Sequence, residues 1–132
     1  MRSVLSIHPL HAALLAGTVP LFLGALLSDI AYARTYEIQW ANFASWLIVG
    51  GLVFGAAALA CAVVGLVRGA RAIMYPLLLL LTWVLGFVNA LVHAKDAWAM
   101  MPTGLVLSIV VFVLACAATW AGLSAPRDRG AA

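Results

Sequence analysis

The residues best suited to chemistry in this chain stand in one periodic row. Thr82, Gly86, Asn89, His93 and Asp96 recur at intervals of four, three, four and three, which puts them on one face of a helix. An amide, an imidazole and a carboxylate on one face can hold or relay a proton, or hydrogen-bond the carbonyl of a bound quinone. Asp29, preceded by Ser28, closes an earlier apolar stretch at the same depth as His93, and Asn42 and Ser45 open the next stretch. We therefore expect a polar patch of Asp29, Asn42, Asn89, His93 and Asp96 at one end of the helices, with Trp98 beside it, as the candidate cofactor-binding or partner-binding site. The same residues would also suit a network that only fixes packing.

A second group, His8-Pro9-Leu10-His11, opens the first apolar stretch. Pro9 suits the first turn of a helix, so His8 falls at an N-cap position. Two histidines three apart make a weak metal pattern, and the nearest carboxylate on that side, Asp128, stands in the tail. We assign no metal site, with His8 and His11 as weak candidates. Haem fits poorly. His8 and His11 begin one helix and His93 ends another, so they lie at opposite faces; His93 with Met100 or Met101 is the remaining haem arrangement. Cys61 and Cys116 both sit inside apolar runs and are expected as free thiols. No phosphate loop, nucleophile elbow or Cys-x-x-Cys pair occurs, so we assign no catalytic residue and expect no catalytic activity of its own.

The elements that must position these groups follow from composition. Of the 132 residues, 67% are hydrophobic and 8% charged, against roughly 25% charged in a soluble domain. Such a chain cannot cover a water-facing surface, and its mean hydropathy of +1.16 agrees with a lipid environment. A spanning helix needs about 20 mostly apolar residues. Four stretches qualify, at about 9–33, 40–67, 72–93 and 103–123, followed by a polar tail, 124–132. The length suits a single transmembrane domain, and the short connections force an all-α, antiparallel four-helix bundle. No basic cluster with interleaved aromatics suggests a nucleic-acid partner.

Arg2, Arg68, Arg71, Arg127 and Arg129 fall on one side, and Arg34 and Lys95 on the other. The basic side is expected to be cytoplasmic, with both termini inside and the 94–102 connection outside. Tyr36, Trp40 and Trp98 then mark the outer interface, and Tyr75 and Trp120 the inner one. A cleaved leader ending near Ala31-Tyr32-Ala33 is the weaker reading, because its apolar run is too long and contains Asp29.

Small residues let helices approach closely in lipid. Gly51, Gly55, Ala58, Ala62 and Gly65 form one stripe, and Gly104, Ser108, Ala115, Ala118 and Gly122 another. Both suit packing within the bundle; a homodimer seam is the alternative use. Pro20 removes the hydrogen bond to the Ala16 carbonyl, for which the Thr18 hydroxyl is the candidate replacement. The halves share too little sequence to support an inverted repeat.

The opening Ile7-His8-Pro9-Leu10-His11 with Asp29 at the far end of the same stretch, the segment from Asn89 through His93, Lys95 and Asp96 to Trp98, and Pro102-Thr103-Gly104-Leu105 with Ser108 resemble one family. It is the domain of unknown function 2231 family of bacterial four-helix inner-membrane proteins. The resemblance covers almost the whole chain. It implies a bacterial inner-membrane location and a membrane-partner or electron-accepting role beside a periplasmic quinoprotein dehydrogenase. The chain departs from the pattern at its start, where relatives space the two histidines more widely, so any role of that pair transfers poorly. The resulting expectation is a membrane partner or electron-transfer subunit whose outer patch serves a periplasmic redox partner or a quinone. The alternatives are a non-catalytic structural or assembly protein and, more remotely, a haem-binding membrane cytochrome.

Overall fold

In the computed structural model, which describes residues 8–124, the chain is all-helical and the described residues contain no strand. The elements are α1 (Pro9–Thr35), α2 (Ile38–Val67), α3 (Met74–His93), the single turn α4 (Ala97–Met100) and α5 (Thr103–Ser124). The four long ones are apolar and long enough to cross a bilayer. Arg2, Arg127, Arg129 and Asp128 lie outside the described residues.

Local chemistry sets the ends. His8 is the N-cap of α1: its Nδ1 accepts the Leu10 N–H at 3.1 Å, and Pro9 follows at the first helical position. At the far end Tyr36 adopts left-handed backbone (φ 58°) and donates its N–H to the Tyr32 carbonyl. The Thr35 hydroxyl donates to the Ala31 carbonyl and accepts the Glu37 N–H. Only Tyr36 and Glu37 therefore separate α1 from α2, a tighter hairpin than the six-residue connection expected from the polar residues at 34–39. The basic turn after α2 closes on Gly69 (φ 108°).

Each long helix buries one seam whose spacing alternates between three and four. On α1 it runs Leu15, Thr18, Phe22, Ala25, Asp29, Tyr32; on α3, Leu79, Thr82, Gly86, Asn89, His93. Small residues dominate the facing seams, from Ala41 through Gly51 and Gly55 to Ala62 on α2, and from Gly104 through Ser108 to Ala118 on α5. An average repeat near 3.5 keeps each seam turned inward along the helix, as in left-handed bundles. The small residues form the hollows. A Cβ on Gly51 would lie 2.5 Å from the Phe22 ring, and one on Gly122 would lie 2.7 Å from Leu15. Apart from Gly65, where a Cβ would meet nothing within 4 Å, both small-residue stripes are thus used inside the bundle.

Helix α1 packs chiefly on α2 and α5, and so does α3. α1 and α3 therefore oppose each other across the diagonal. They run in the same direction: His11 meets Tyr75 at one end and Asp29 meets His93 at the other, each pair 64 residues apart. Leu15 and Leu79, in one core cluster, keep the same interval. The hairpins α1–α2 and α3–α5 thus repeat in parallel rather than inverted, and the register carries this regularity without sequence identity.

Helix α1 continues through Pro20. The Thr18 hydroxyl donates to the Leu15 carbonyl at 2.7 Å, not to Ala16, because a helical threonine reaches back three or four residues and not two. Outward positions such as Leu27, Val53, Leu81 and Val113 are apolar and exposed, the surface that a hydrocarbon solvent requires.

Candidate functional site

At the end where α1 and α3 finish and α5 begins, four polar side chains close a ring. Asp29, Asn89, His93 and Ser108 are all buried, and the side chains of Asp29 and His93 expose nothing. Asn89 donates from Nδ2 to Ser108 Oγ at 2.9 Å. Ser108 donates to Asp29 Oδ2. Asp29 Oδ1 lies 2.7 Å from His93 Nε2. His93 Nδ1 lies 2.9 Å from the main-chain carbonyl of Asn89, so the circuit returns to the residue where it began.

The seams explain why these four meet. Asn89 and His93 are neighbours on the α3 face, one turn apart. The α3–α5 hairpin sets Ser108 opposite Asn89 and Gly104 opposite His93, where a Cβ on Gly104 would come within 3.0 Å of the imidazole. Gly104 is thus the hollow that admits the ring. Asp29 arrives from across the diagonal. Met100, on α4, is buried with Tyr32, Ala41 and Val92 and roofs this end of the bundle.

Hydrogen-bond chemistry fixes the proton inventory. A carbonyl only accepts, so Nδ1 of His93 carries a proton and donates to Asn89. One further proton lies between Nε2 and Oδ1. With it on nitrogen the pair is an imidazolium carboxylate; with it on oxygen it is an imidazole and a carboxylic acid. The pair is neutral overall in both forms, which is how an apolar interior tolerates it. Every ring member is used, with one exception: Asn89 Oδ1 is buried and has no partner.

The expected patch thus divides. Asp29, Asn89 and His93 come together. Asn42, Asp96 and Trp98 are exposed on the rim and take no part in the ring. Ser45 returns its hydroxyl to the Ala41 carbonyl of its own helix. Ser108, read from sequence only as a small packing residue, is a full member. Its signal was the hairpin, since folding α5 back along α3 brings Ser108 level with Asn89. Met100, the sequence's optional partner for His93 in a haem, packs in the apolar cluster, and both nitrogens of His93 are engaged within the chain.

The opposite pole is simpler. His11 Nε2 and Tyr75 Oη are 2.7 Å apart, and the rings are tilted with centroids separated by 5.8 Å. Eighteen residues of α3 separate Tyr75 from His93, or about 27 Å at 1.5 Å per residue. The two histidine pairs therefore sit near opposite faces of a bilayer. His8 and His11 are engaged in the N-cap and the tyrosine contact respectively. Cys61 and Cys116 are free and half-buried.

These features define a four-helix membrane bundle with an acid–imidazole ring enclosed at one end. The chain belongs to the family described as predicted membrane protein (DUF2231), whose model matches residues 7–130. No curated protein and no solved structure matches it.

Proposed function

We propose that the protein is a membrane partner subunit, without a reaction of its own, that presents its α3–α5 connection to a periplasmic redox protein in a bacterial inner membrane. One observation carries this reading: at this end the polar residues separate into a closed, buried ring and an exposed rim. The ring engages both nitrogens of His93. A quinone carbonyl at His93 would have to displace Asp29, which makes the quinone site the poorer reading. The rim offers what a protein partner can touch: Asn42 and Asp96, both exposed, and Trp98, whose side chain is largely uncovered at 86% exposure. The ring then acts as a clasp that holds α1, α3 and α5 in register beneath that rim.

The orientation rests on the sequence, where Arg2, Arg127 and Arg129 tip the balance of cations; the described residues divide evenly. Arg68 and Arg71 lie at the His11 pole, and Arg34 and Lys95 at the ring pole; the remaining arginines of the count lie outside the described residues. The test uses a chain with Cys61 and Cys116 replaced by alanine and one new cysteine. Asp96→Cys is expected to react with a membrane-impermeant maleimide added to spheroplasts, and Arg68→Cys only after permeabilisation. The reverse pattern would put the rim in the cytoplasm and end the periplasmic reading. A photo-crosslinker in place of Trp98 is expected to join the chain to a quinoprotein dehydrogenase; adducts with lipid alone would remove the partner.

A further inference from the structure

The buried Asn89 Oδ1 without a partner is the one atom that a purely structural clasp does not explain. Most buried polar atoms are satisfied, and each exception calls for an explanation. A second hydrogen-bond network becomes possible when the Asn89 amide turns over, so that Oδ1 faces Ser108 and the amide nitrogen takes its place. It differs from the first by a single proton.

We propose that the Asp29–Ser108–Asn89–His93 ring is a proton-binding site that takes up one proton by reversing the direction of its hydrogen bonds. In the first network Asn89 donates to Ser108, Ser108 donates to Asp29, and Asp29 shares one proton with His93. One proton enters from solution and bonds to Asp29 Oδ2. That oxygen then donates to Ser108 Oγ. The Ser108 hydroxyl turns toward Asn89, whose amide rotates by half a turn and accepts through Oδ1. The shared proton settles on His93 Nε2, which donates to Oδ1 of the now neutral acid, while Nδ1 keeps its bond to the Asn89 carbonyl. No covalent bond changes except the new O–H, and the ring gains one positive charge. The Asn89 amide nitrogen takes the unpartnered place in turn. The charge rests on an imidazolium at the last residue of α3, where the free carbonyls of a helix C-terminus favour a cation.

The surroundings leave this titration to the ring. On α1 the nearest ionisable neighbours are Tyr32, buried in the Met100 cluster, and Arg34, exposed. On α2 Glu37 is exposed at the helix start, and Cys61 lies toward the other pole. Lys95 and Asp96, beyond α3, are exposed; α4 has no ionisable residue, and α5 carries only Cys116, two turns below Ser108. Because the side chains of Asp29 and His93 are enclosed, the state is read at equilibrium.

The test is infrared difference spectroscopy of the full chain in lipid nanodiscs, titrated with acid. The protein carries isotope labels in aspartate and asparagine; Asn42→Gln leaves Asn89 as the sole labelled amide, and Asp96→Glu with Asp128→Glu leave Asp29 as the sole labelled carboxyl. The expected result is a rise of one protonated-carboxyl band and a shift of the Asn89 amide band, together and with one midpoint. Asp29→Leu abolishes both changes. Ser108→Ala keeps the carboxyl change and silences the amide. A carboxyl band that rises with the ring intact but without an amide shift would overturn the reversal. No change of the Asp29 band over the whole pH range in which the chain stays folded would overturn the site itself. Both readings come from a chain whose four ring residues are unchanged, so neither depends on a ring variant that must fold, and neither depends on the partner reading above.

Discussion

Replacing Asp29 by alanine is expected to lower the stability of the bundle by about 3–5 kcal/mol, the usual cost of removing one member of a buried pair, while Asp29→Asn costs far less. The contrast follows from donors and acceptors. In the alanine variant His93 Nε2 and the Ser108 hydroxyl both lose their partner in a site closed to water. Asparagine restores both bonds with no charge: its oxygen accepts from Ser108 and its amide donates to Nε2 of a neutral imidazole that still donates from Nδ1. The double change Asp29→Leu with His93→Leu is expected to fall short of the sum of the two single losses, because apolar groups remove both partners at once. Reversible unfolding in mixed micelles measures all five variants. Equal losses for Asp29→Ala and Asp29→Asn would mean that the ring does not clasp the helices.

Much of this architecture is legible in the sequence, for identifiable reasons. Lipid demands long apolar runs and leaves few alternatives, so composition and length alone located four spans. The N-cap role of His8 followed from Pro9. Asn89 and His93 were legible because a seam in a bundle keeps its three-four spacing, and polar residues that keep this spacing must face inward. The rim residues fall outside the ring because equal depth does not give proximity. Asp96 extends the α3 spacing only if the helix continues, but α3 stops at His93 and Asp96 begins the next turn. Asn42 has the right depth, yet it sits one position off the seam: Ala41 is buried and Asn42 is exposed. Trp98 falls on α4, a turn that the sequence left as plain connection; α4 turns Met100 inward and Trp98 outward. Ser108 was hidden because a hydroxyl among glycines and alanines reads as small before it reads as polar. Its role needs a tertiary fact, the register of α5 on α3.

The same seam logic predicts a size exchange in the middle of the bundle. Phe22 projects from α1 into a hollow formed by Gly51 on α2 and Gly86 on α3; added Cβ atoms there would lie 2.5 Å and 3.6 Å from its ring. Gly51→Val places a branched side chain where the ring already is. The ring, held also on the α3 side, has little room to retreat, so overpacking is expected to cost about 1–3 kcal/mol. Phe22→Ala fails in the opposite way. Lipid is as apolar as the core, so this loss comes less from solvent transfer than from the dispersion contacts of a void that nothing fills. Combined, the two changes correct each other: the valine occupies space the phenylalanine has left. The double variant is expected to be more stable than either single one, with a coupling of about 0.5–3 kcal/mol. Additive losses would show that the two side chains do not share one hollow. The outcome bears on the polar ring as well. Phe22 and Asp29 are seven residues apart on one seam, so a bundle forced apart at Gly51 carries Asp29 away from His93. Gly51→Val is therefore expected to weaken the Asp29 carboxyl signal, and Phe22→Ala in the same chain to restore it. The position of a carboxylate near the membrane face thus depends on a glycine two turns deeper in the bundle.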